Sequence, residues 1–339
     1  MSKKATAQFW DTAHRYLGHQ LKVIRQVSSH TIDSYRDCLN SIIDYLERVE
    51  NISRKKISFH NFGKETIKRY QTWMITEQGL APKTCNLRLT AIRSFLEYAA
   101  QEYLWLMPVY TDACTIAGVK TPNHAIEYFE PDEMTALLAA PSGTSRTDRR
   151  NQMMLIFLYD TAARVAEARQ VKVSDLHLDA GVPYVTLLGK GRKYRNIPLM
   201  EKTVLHLKRY LKDFHRSDPK TDLPLFYAKA HGLLHELSSD TFEKMIKRYA
   251  EQCREGGYPM PDRVHCHMIR KTRAMDLYRE GVPLPHIQQL LGHENISTTS
   301  GFYAFATLDV LAKAMEAVNP DNGVKSWSDP DILERLYRL

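Results

Sequence analysis

Apolar residues recur every three or four positions through the first third of the chain, and this spacing limits the fold more than any other feature. The clearest run extends from Ile32 to Val49 and predicts one apolar helix face, with Ser28 or Ser29 as its N-cap. Similar spacing predicts helices from about residue 6 to residue 17, near residues 67–75 and after Pro82. Because no strand pattern interrupts them, the first domain is predicted to be helical.

The helical periodicity fails between residues 107 and 128. Pro108, Gly118 and Pro122 fall here among small polar residues, a composition typical of an exposed linker. A chain of 339 residues is long enough for two domains of ~100 to 200 residues each. We therefore predict a helical domain at 1–107, a linker at 108–127, a second domain at 128–319 and a tail at 320–339.

The second domain mixes helices with a little β-structure. Residues 184–188 form a β-rich run, followed by a basic segment with two glycines at 189–193 and by an extended segment at 196–199, which together predict a hairpin with a basic tip. Helices are predicted around 153–158, 205–211, 242–250, 270–280 and 284–291, the last two ended by Gly281 and Gly292. The predicted fold class is mainly α with a small β-hairpin, of the α+β type.

Composition excludes several classes of protein. With 43% hydrophobic and 25% charged residues, the chain is typical of a soluble globular protein. No apolar run approaches the ~20 residues that span a bilayer, and the polar start does not resemble a signal core. The five cysteines are scattered without CxxC spacing, which argues against a disulfide framework or a zinc site. We expect a cytoplasmic protein without a membrane partner.

The net charge of +8 favours a polyanionic partner. Most of the excess lies in residues 1–120, which contain 17 Lys and Arg against 11 Asp and Glu. The helical domain is therefore the more basic part of the chain.

Two segments of the second domain place cations in unusual surroundings. Arg164 falls where one apolar helix ends and another begins, with Glu167 one turn later; for this segment taken alone, an intrahelical ion pair is the favoured interpretation. Lys190 lies between two glycines at the predicted hairpin tip, where a solvated loop is the alternative. The nearby Arg192, Lys193 and Arg195 leave the choice of Lys190 open on chemistry alone.

Two later segments add imidazole and hydroxyl groups. His267 and Arg270 share a helix face and can reach one anion together, whereas a capping His beside a surface Arg is the alternative. A zinc site at residues 265–267 is a weaker interpretation, because adjacent residues rarely converge on one metal. His293 follows the helix-ending Gly292, and Tyr303 comes ten residues later.

These four segments, in this order, resemble those of the tyrosine recombinases, also called the phage integrase family. The likeness is most specific where His267-Met-Ile-Arg270 is followed by Leu-Gly-His293 and then by Tyr303, and it extends from about residue 5 to residue 318. The helical first domain resembles the core-binding domain of that family, and the second resembles its catalytic domain. Ala162 departs from the pattern, since many relatives have Gly there.

The resemblance implies a reaction at a DNA phosphate. Arg164 and Arg270 would clamp the scissile phosphate through planar guanidinium groups that bind phosphoryl oxygens. Tyr303 would attack to form a 3′-phosphotyrosyl link and release a 5′-hydroxyl, without a cofactor or a metal.

The remaining site residues would support this step. Lys190 matches the lysine that protonates the leaving 5′-oxygen, and His267 matches the histidine that assists proton transfer. His293 would position the phosphate, and Glu167 would orient its neighbours.

The implied partner is double-stranded DNA, which a homotetramer would bind at two DNA sites. An accessory DNA-bending protein is a further implied partner. The tail at 320–339 would dock on a neighbouring protomer, or alternatively on its own domain. The candidate DNA-binding residues are Lys83, Arg88, Arg93 and Lys193.

The implied function is a site-specific recombinase that integrates, excises or resolves a mobile element. A type IB topoisomerase and a telomere resolvase share the phosphotyrosine chemistry and are the enzymatic alternatives. A DNA-binding regulator that kept the fold without strand cleavage is the alternative from another class, and the complete set of six site residues argues against it.

Overall fold

The computed structural model describes residues 3–122, 127–143, 145–189, 191, 193–215, 222–230 and 232–292, with the backbone alone for 3, 4 and 230. Lys190, His293, Tyr303 and the tail at 320–339 lie outside the described residues. The chain divides into two compact units, residues 1–124 and 125–339, and each is described by itself.

The helices predicted for the first unit are all present. Their bounds are α1 Lys3–Arg15, α2 Ser29–Arg48, α3 Lys64–Thr76, α4 Pro82–Glu102 and α5 Met107–Cys114. The chain continues from α1 as a π-helix over Tyr16–Ile24, and short 3-10 turns cover Arg54–Lys56, Phe59–Phe62 and Leu104–Leu106. No strand occurs among the residues of this unit that the structure describes.

The predicted cap and the apolar faces account for the bundle. Ser28 is the N-cap of α2, and its hydroxyl accepts a hydrogen bond of 3.2 Å from the Thr31 backbone N–H. The core is aromatic: the ring centroid of Phe9 lies 5.2 Å from that of Phe59 and 5.7 Å from that of Phe95. Helix α4 is therefore packed on one side by α2 and on another by α1 and the 3-10 turn that carries Phe59.

The first part of the predicted linker differs from the prediction. Residues 107–114 form helix α5, and Ala113 and Ile116 are buried in the core of the first unit. The periodic pattern is too short here to be recognised, because α5 has only 8 residues. Packing against α4 stabilises this helix, although its own sequence shows no helical pattern.

Arg93 of α4 fastens this segment. Its Nε donates to the Ala113 carbonyl at 3.0 Å, and its Nη2 donates to the carbonyl of Ile116. Ala113 lies in the last turn of α5, where its carbonyl also accepts from the Ile116 N–H at 3.4 Å, and Ile116 follows two residues after the helix ends. The guanidinium proposed from sequence as a DNA contact is therefore used inside the domain, because it completes a helix terminus.

The second unit contains the remaining elements. Its helices are α6 Pro131–Ala139, α7 Arg146–Thr161, α8 Val165–Gln170, α9 Glu201–His215, α10 Ser239–Glu255, α11 Cys266–Arg279 and α12 Leu284–Leu291. Its strands are β1 Leu176–His177, β2 Tyr184–Leu188, β3 Tyr194–Pro198, β4 Tyr227–Ala230 and β5 Leu233–Glu236.

The predicted hairpin is confirmed as β2 paired antiparallel with β3, in a register that places Val185 opposite Ile197. Strand β1 adds to the edge of β2, and β4 and β5 form a separate antiparallel pair. Sequence reasoning missed this second pair because every residue of β5 is exposed, so no apolar alternation marks it. The observed fold is mainly helical with small antiparallel sheets, as expected.

Helix α7 lies at the centre of the second unit. Leu155, Phe157 and Leu158 are buried there, in a core shared with α9 and α11. The carboxyl end of α7 is thereby held at the place where α8, α11 and α12 meet. None of the helices in the described ranges is both long and apolar enough to cross a membrane.

Replacing Arg93 with Ala is expected to lower the unfolding free energy by about 1 to 3 kcal/mol, because the carbonyls of Ala113 and Ile116 both lose the guanidinium as a donor. Lys83→Ala, an exposed position in the first turn of the same helix, is the matched control and should change stability by less than about 0.5 kcal/mol. Urea unfolding of both variants measures the difference. Equal midpoints for the two variants would contradict the role given to Arg93.

Candidate active site

The predicted Arg164 segment forms a sharp turn between α7 and α8. Ala162 ends α7 with φ of 49°, in the left-handed region, and Arg164 is extended as the N-cap of α8. A side chain in this region is strained and glycine is not, which explains why a glycine is the expected residue at position 162. Ala162 is also fully buried, so the surrounding packing holds the strained turn in place.

Glu167 is the centre of the described site. Its carboxylate is buried, with 4% of the side chain exposed. Arg164 donates to it from the backbone N–H at 2.7 Å and from Nη1 at 2.8 Å. Arg195 binds both of its oxygens, Nη1 to Oε1 at 2.9 Å and Nη2 to Oε2 at 2.8 Å. The ion pair between Arg164 and Glu167 thus exists, as part of a larger cluster.

Arg270 joins the same cluster from α11. Its Nη1 lies 4.0 Å from Glu167 Oε2 and donates to the Ala162 carbonyl at 2.7 Å, while its Nη2 donates to the Leu291 carbonyl. Only 3% of its side chain is exposed, which excludes the alternative of a surface arginine. Arg270 therefore ties α11 to the end of α7 and to the end of α12.

The electrostatics of Glu167 follow from these contacts. Burial alone would raise the pKa of this carboxyl group, but hydrogen bonds from Arg195 and from the Arg164 backbone outweigh burial and lower the pKa to about 2. The carboxylate is ionised at neutral pH and offsets one of three guanidinium charges. The cluster keeps an excess of positive charge, as a phosphate site requires.

Sequence reasoning noted Arg195 but did not assign it a role in the site. It lies on β3 two residues before the buried Ile197, so both side chains face the same side of the strand. A charged residue on the inner face of a strand needs a buried partner, and this alternation was the signal that could have identified it. Besides Glu167, Arg195 Nε donates to the Leu290 carbonyl at 3.0 Å.

Gly292 allows this close packing at the end of α12. Its φ is 61°, and a Cβ built there would lie 3.2 Å from Arg195 Nη1 and 3.3 Å from Arg195 Cδ. The position thus favours glycine for two reasons, the left-handed backbone and the close approach of the Arg195 side chain. His293, the next residue in the chain, is outside the described residues.

His267 lies in the first turn of α11, one turn from Arg270. Desolvation by the surrounding protein and the charges of Arg270 and Lys271 lower the pKa of His267 to about 4. The residue itself is exposed at the protein surface, where a substrate can reach its ring. The imidazole is neutral at pH 7 and can accept a proton.

The proposed DNA-binding residues have different surroundings. Lys83 is exposed in the first turn of α4, and Arg88 is half-buried on the same helix near Tyr70. Lys193 is exposed immediately before β3, where its carbonyl accepts a hydrogen bond of 2.8 Å from the Gly189 N–H.

Replacing Gly292 with Ala is expected to destabilise the protein and to displace Arg195. The left-handed backbone alone accounts for about 1 kcal/mol, and the contact with Arg195 adds to it. Gly281→Ala is the matched control, since Gly281 has φ of 80° but the described part of the chain places no atom within 4 Å of its built Cβ. Thermal unfolding should show the larger loss of melting temperature for Gly292→Ala. Equal losses for the two variants would contradict the role given to the contact with Arg195.

Glu167→Gln is expected to lower the unfolding free energy at neutral pH and to flatten its acid dependence. The pKa of about 2 lies below the usual 4.5, so the stabilising contribution is complete above about pH 4.5 and disappears as the pH falls toward 2. This shift corresponds to roughly 3 kcal/mol at neutral pH. Urea unfolding at several pH values measures the gap between variant and wild type. A difference in unfolding free energy between variant and wild type that stays constant down to pH 3 would contradict the low pKa of Glu167.

Two family models match the chain. The phage integrase family matches residues 127–307, and the phage integrase N-terminal SAM-like domain matches residues 14–103. The integrase/recombinase y4rC of Sinorhizobium fredii is 31% identical over 310 residues, 91% of this chain and 90% of that protein. The tyrosine recombinase XerD of Halalkalibacterium halodurans is 33% identical over 285 residues, 83% of this chain and 89% of that protein.

Solved structures agree on the fold. The XerH site-specific recombinase bound to palindromic difH substrate has a TM-score of 0.67 at 21% identity, covering 86% of this chain and 81% of that one. The Tn1549 transposon integrase in complex with a circular intermediate DNA has a TM-score of 0.68 at 18% identity, covering 93% and 99%. Since a family model matches more than half of its residues and relatives above 30% identity span most of it, the chain belongs to the phage integrase family of tyrosine recombinases, which are site-specific DNA recombinases.

Proposed function

We propose that this recombinase cuts and rejoins DNA strands through a 3′-phosphotyrosyl intermediate formed by Tyr303. The observation that carries the proposal is the cluster around Glu167, in which one buried carboxylate holds Arg164 and Arg195 and lies 4.0 Å from Arg270. Guanidinium groups fixed before the substrate arrives stabilise developing charge without reorganisation. A pentavalent phosphorus carries such charge.

In the proposed cleavage, the Tyr303 oxygen forms a bond to the scissile phosphorus as the bond from phosphorus to the 5′-oxygen breaks. Arg164 and Arg270 neutralise the non-bridging oxygens during the attack. The new phosphotyrosyl ester conserves the phosphodiester linkage, so the 5′-hydroxyl of a second strand can reverse the step without a nucleotide cofactor.

The other site residues are assigned to proton transfer and to positioning of the phosphate. A phenol with an ordinary pKa of ~10 has to lose its proton during the attack. We assign His267 as the proton acceptor, because its imidazole is neutral at pH 7 and keeps a ring nitrogen open to a proton. The negative charge of a bound phosphate raises the pKa of His267 from about 4 toward neutral, where a general base works best. Lys190 protonates the leaving 5′-oxygen, and His293 positions the phosphate.

We assign DNA binding to both units. The basic first unit acts as the core-type DNA-binding domain through Lys83 and Arg88, and the second unit as the catalytic domain, with Lys193 near the duplex. The Tn1549 integrase structure is a complex with a circular intermediate DNA and the XerH structure is bound to palindromic difH substrate, which supports a DNA partner. The working form is a tetramer on two DNA sites, in which the tail at 320–339 docks on a neighbour and an accessory protein can bend the DNA.

The biological role we propose is integration, excision or resolution of a mobile element. The name integrase/recombinase of the Sinorhizobium relative supports this role. Other relatives are named tyrosine recombinase XerC or XerD, which supports site-specific recombination as the underlying activity.

Purified protein is incubated with a pool of nicked duplexes whose sequence is randomised around the nick, so that the released short strand diffuses away and the covalent adduct accumulates. Wild type is expected to form an adduct that survives denaturing gels, and Tyr303→Phe, which lacks only the attacking hydroxyl, is expected to form none. Digestion of the adduct and mass spectrometry should locate the nucleotide on Tyr303.

An adduct with Tyr303→Phe, or attachment at another residue, would refute the assignment of the nucleophile. Failure of wild type to form any adduct while it still retains duplexes on a filter would favour a DNA-binding regulator without cleavage. Relaxation of supercoiled plasmid of any sequence would favour a topoisomerase.

A further inference from the structure

A buried ion pair lies directly behind the site and has no part in the reaction described above. Asp160 is in the last turn of α7, and Arg273 is on α11, one turn after Arg270. Asp160 is 2% exposed and the Arg273 side chain 17% exposed, with Asp160 Oδ1 3.6 Å from Arg273 Nη2. Asp160 Oδ2 accepts a second contact, a hydrogen bond of 3.0 Å from the Met200 backbone N–H.

This arrangement is a poor way to stabilise a fold. A carboxylate in the last turn of a helix faces the negative end of the helix dipole. Within the described part of the chain, Asp160 Oδ1 and Arg273 Nε are buried and make no hydrogen bond. The desolvation of such a pair offsets much of its Coulomb attraction, and apolar side chains of similar size often stabilise a fold as well or better. The net contribution of this ion pair to the stability of the fold is therefore expected to be small.

The ion pair lies where the end of α7 contacts α11. Several contacts join the end of α7 to α11: the Ala162 carbonyl accepts from Arg270 Nη1 at 2.7 Å, the Tyr159 hydroxyl donates to Asp276 Oδ2 at 2.8 Å, and Asp160 pairs with Arg273. The guanidinium of Arg273 also lies over the ring of Tyr159, 5.3 Å from its centroid, which holds the arginine against α7. Met200 ties the same carboxylate to the segment after β3, the strand that carries Arg195.

Each of these ties bears on the distance between the two clamp arginines. Arg164 follows the turn at Ala162, so its place depends on where α7 ends. Arg270 is carried by α11, so its place depends on how α11 lies against α7. A relative shift of these two helices would separate the guanidinium groups that a phosphate has to engage together, and a displacement of about 1 Å can slow a reaction about 100-fold.

We propose that Asp160 and Arg273 are positioning residues that fix the end of α7 on α11 and thereby set the spacing of Arg164 and Arg270. This inference rests on the proposed function, because it assigns those two arginines to the scissile phosphate. Neither Asp160 nor Arg273 is proposed to contact DNA.

The test separates positioning from stability. Arg273→Leu leaves the Asp160 carboxylate buried without its partner and should lower the melting temperature. The double variant Asp160→Asn with Arg273→Leu removes both charges while the Asn side chain still accepts from the Met200 N–H, so its melting temperature should return toward that of wild type. Its rate of adduct formation at saturating DNA should nevertheless stay about 10- to 100-fold below wild type, with DNA affinity unchanged.

The control is Arg279→Leu, the same substitution on the same helix. Arg279 also pairs with an acid and a tyrosine, at 3.4 Å from Glu130 and 3.0 Å from the Tyr128 hydroxyl, but lies nearly two turns beyond Arg273. It should form adduct at the wild-type rate. Arg273→Lys, which keeps the charge, should retain most of the activity.

A chemical readout links the defect to the arginines. A duplex with a methylphosphonate at the scissile position lacks the negative charge that the clamp neutralises, so on this substrate the double variant and wild type should differ much less than on the phosphodiester. If the double variant recovers both stability and rate, the pair contributes stability alone and the proposal is wrong. A defect of equal size on both substrates also overturns it. If wild type and Arg279→Leu form no adduct, the proposed function itself has failed.

Discussion

The carboxylate of Glu167 is the interaction on which the rest of the site depends. Burying one negative charge is unfavourable unless donors surround it, and here Arg164 and Arg195 supply four hydrogen bonds while Arg270 approaches from a third element. The start of α8, the inner face of β3 and helix α11 are thereby held to one point. An anion that binds such a cluster meets cations that are already in place.

The two units use their charges differently. The first unit holds most of the excess positive charge, yet the guanidinium of Arg93 donates to backbone carbonyls in and just after α5. Arg88 is half-buried, and Lys83 is the one of the three candidates on α4 that is exposed. In the second unit a few arginines converge on one carboxylate. Net charge therefore indicates the class of partner, while the location of each charge decides whether it faces the partner or the protein.

Much of the fold could be predicted because it is local. The apolar face of α2, its Ser28 cap, the β2–β3 hairpin and the glycines after α11 and α12 are properties of short segments. Helix α5 and the β4–β5 pair were missed for the opposite reason. Both are short and lack a periodic apolar pattern, so packing against other elements stabilises α5 and pairing stabilises the strands.

The sequence by itself determined the helical first domain, the mixed second domain and the order of Arg164, Lys190, His267, Arg270, His293 and Tyr303, because spacing along a chain is visible without coordinates. Only the tertiary structure decided that Arg195 binds Glu167, 28 residues away, that Arg270 binds the Ala162 carbonyl, 108 residues away, and that Arg273 faces Asp160. The physical reason is that a buried charge finds its partner through space, and side chains far apart in sequence meet only after the helices have packed.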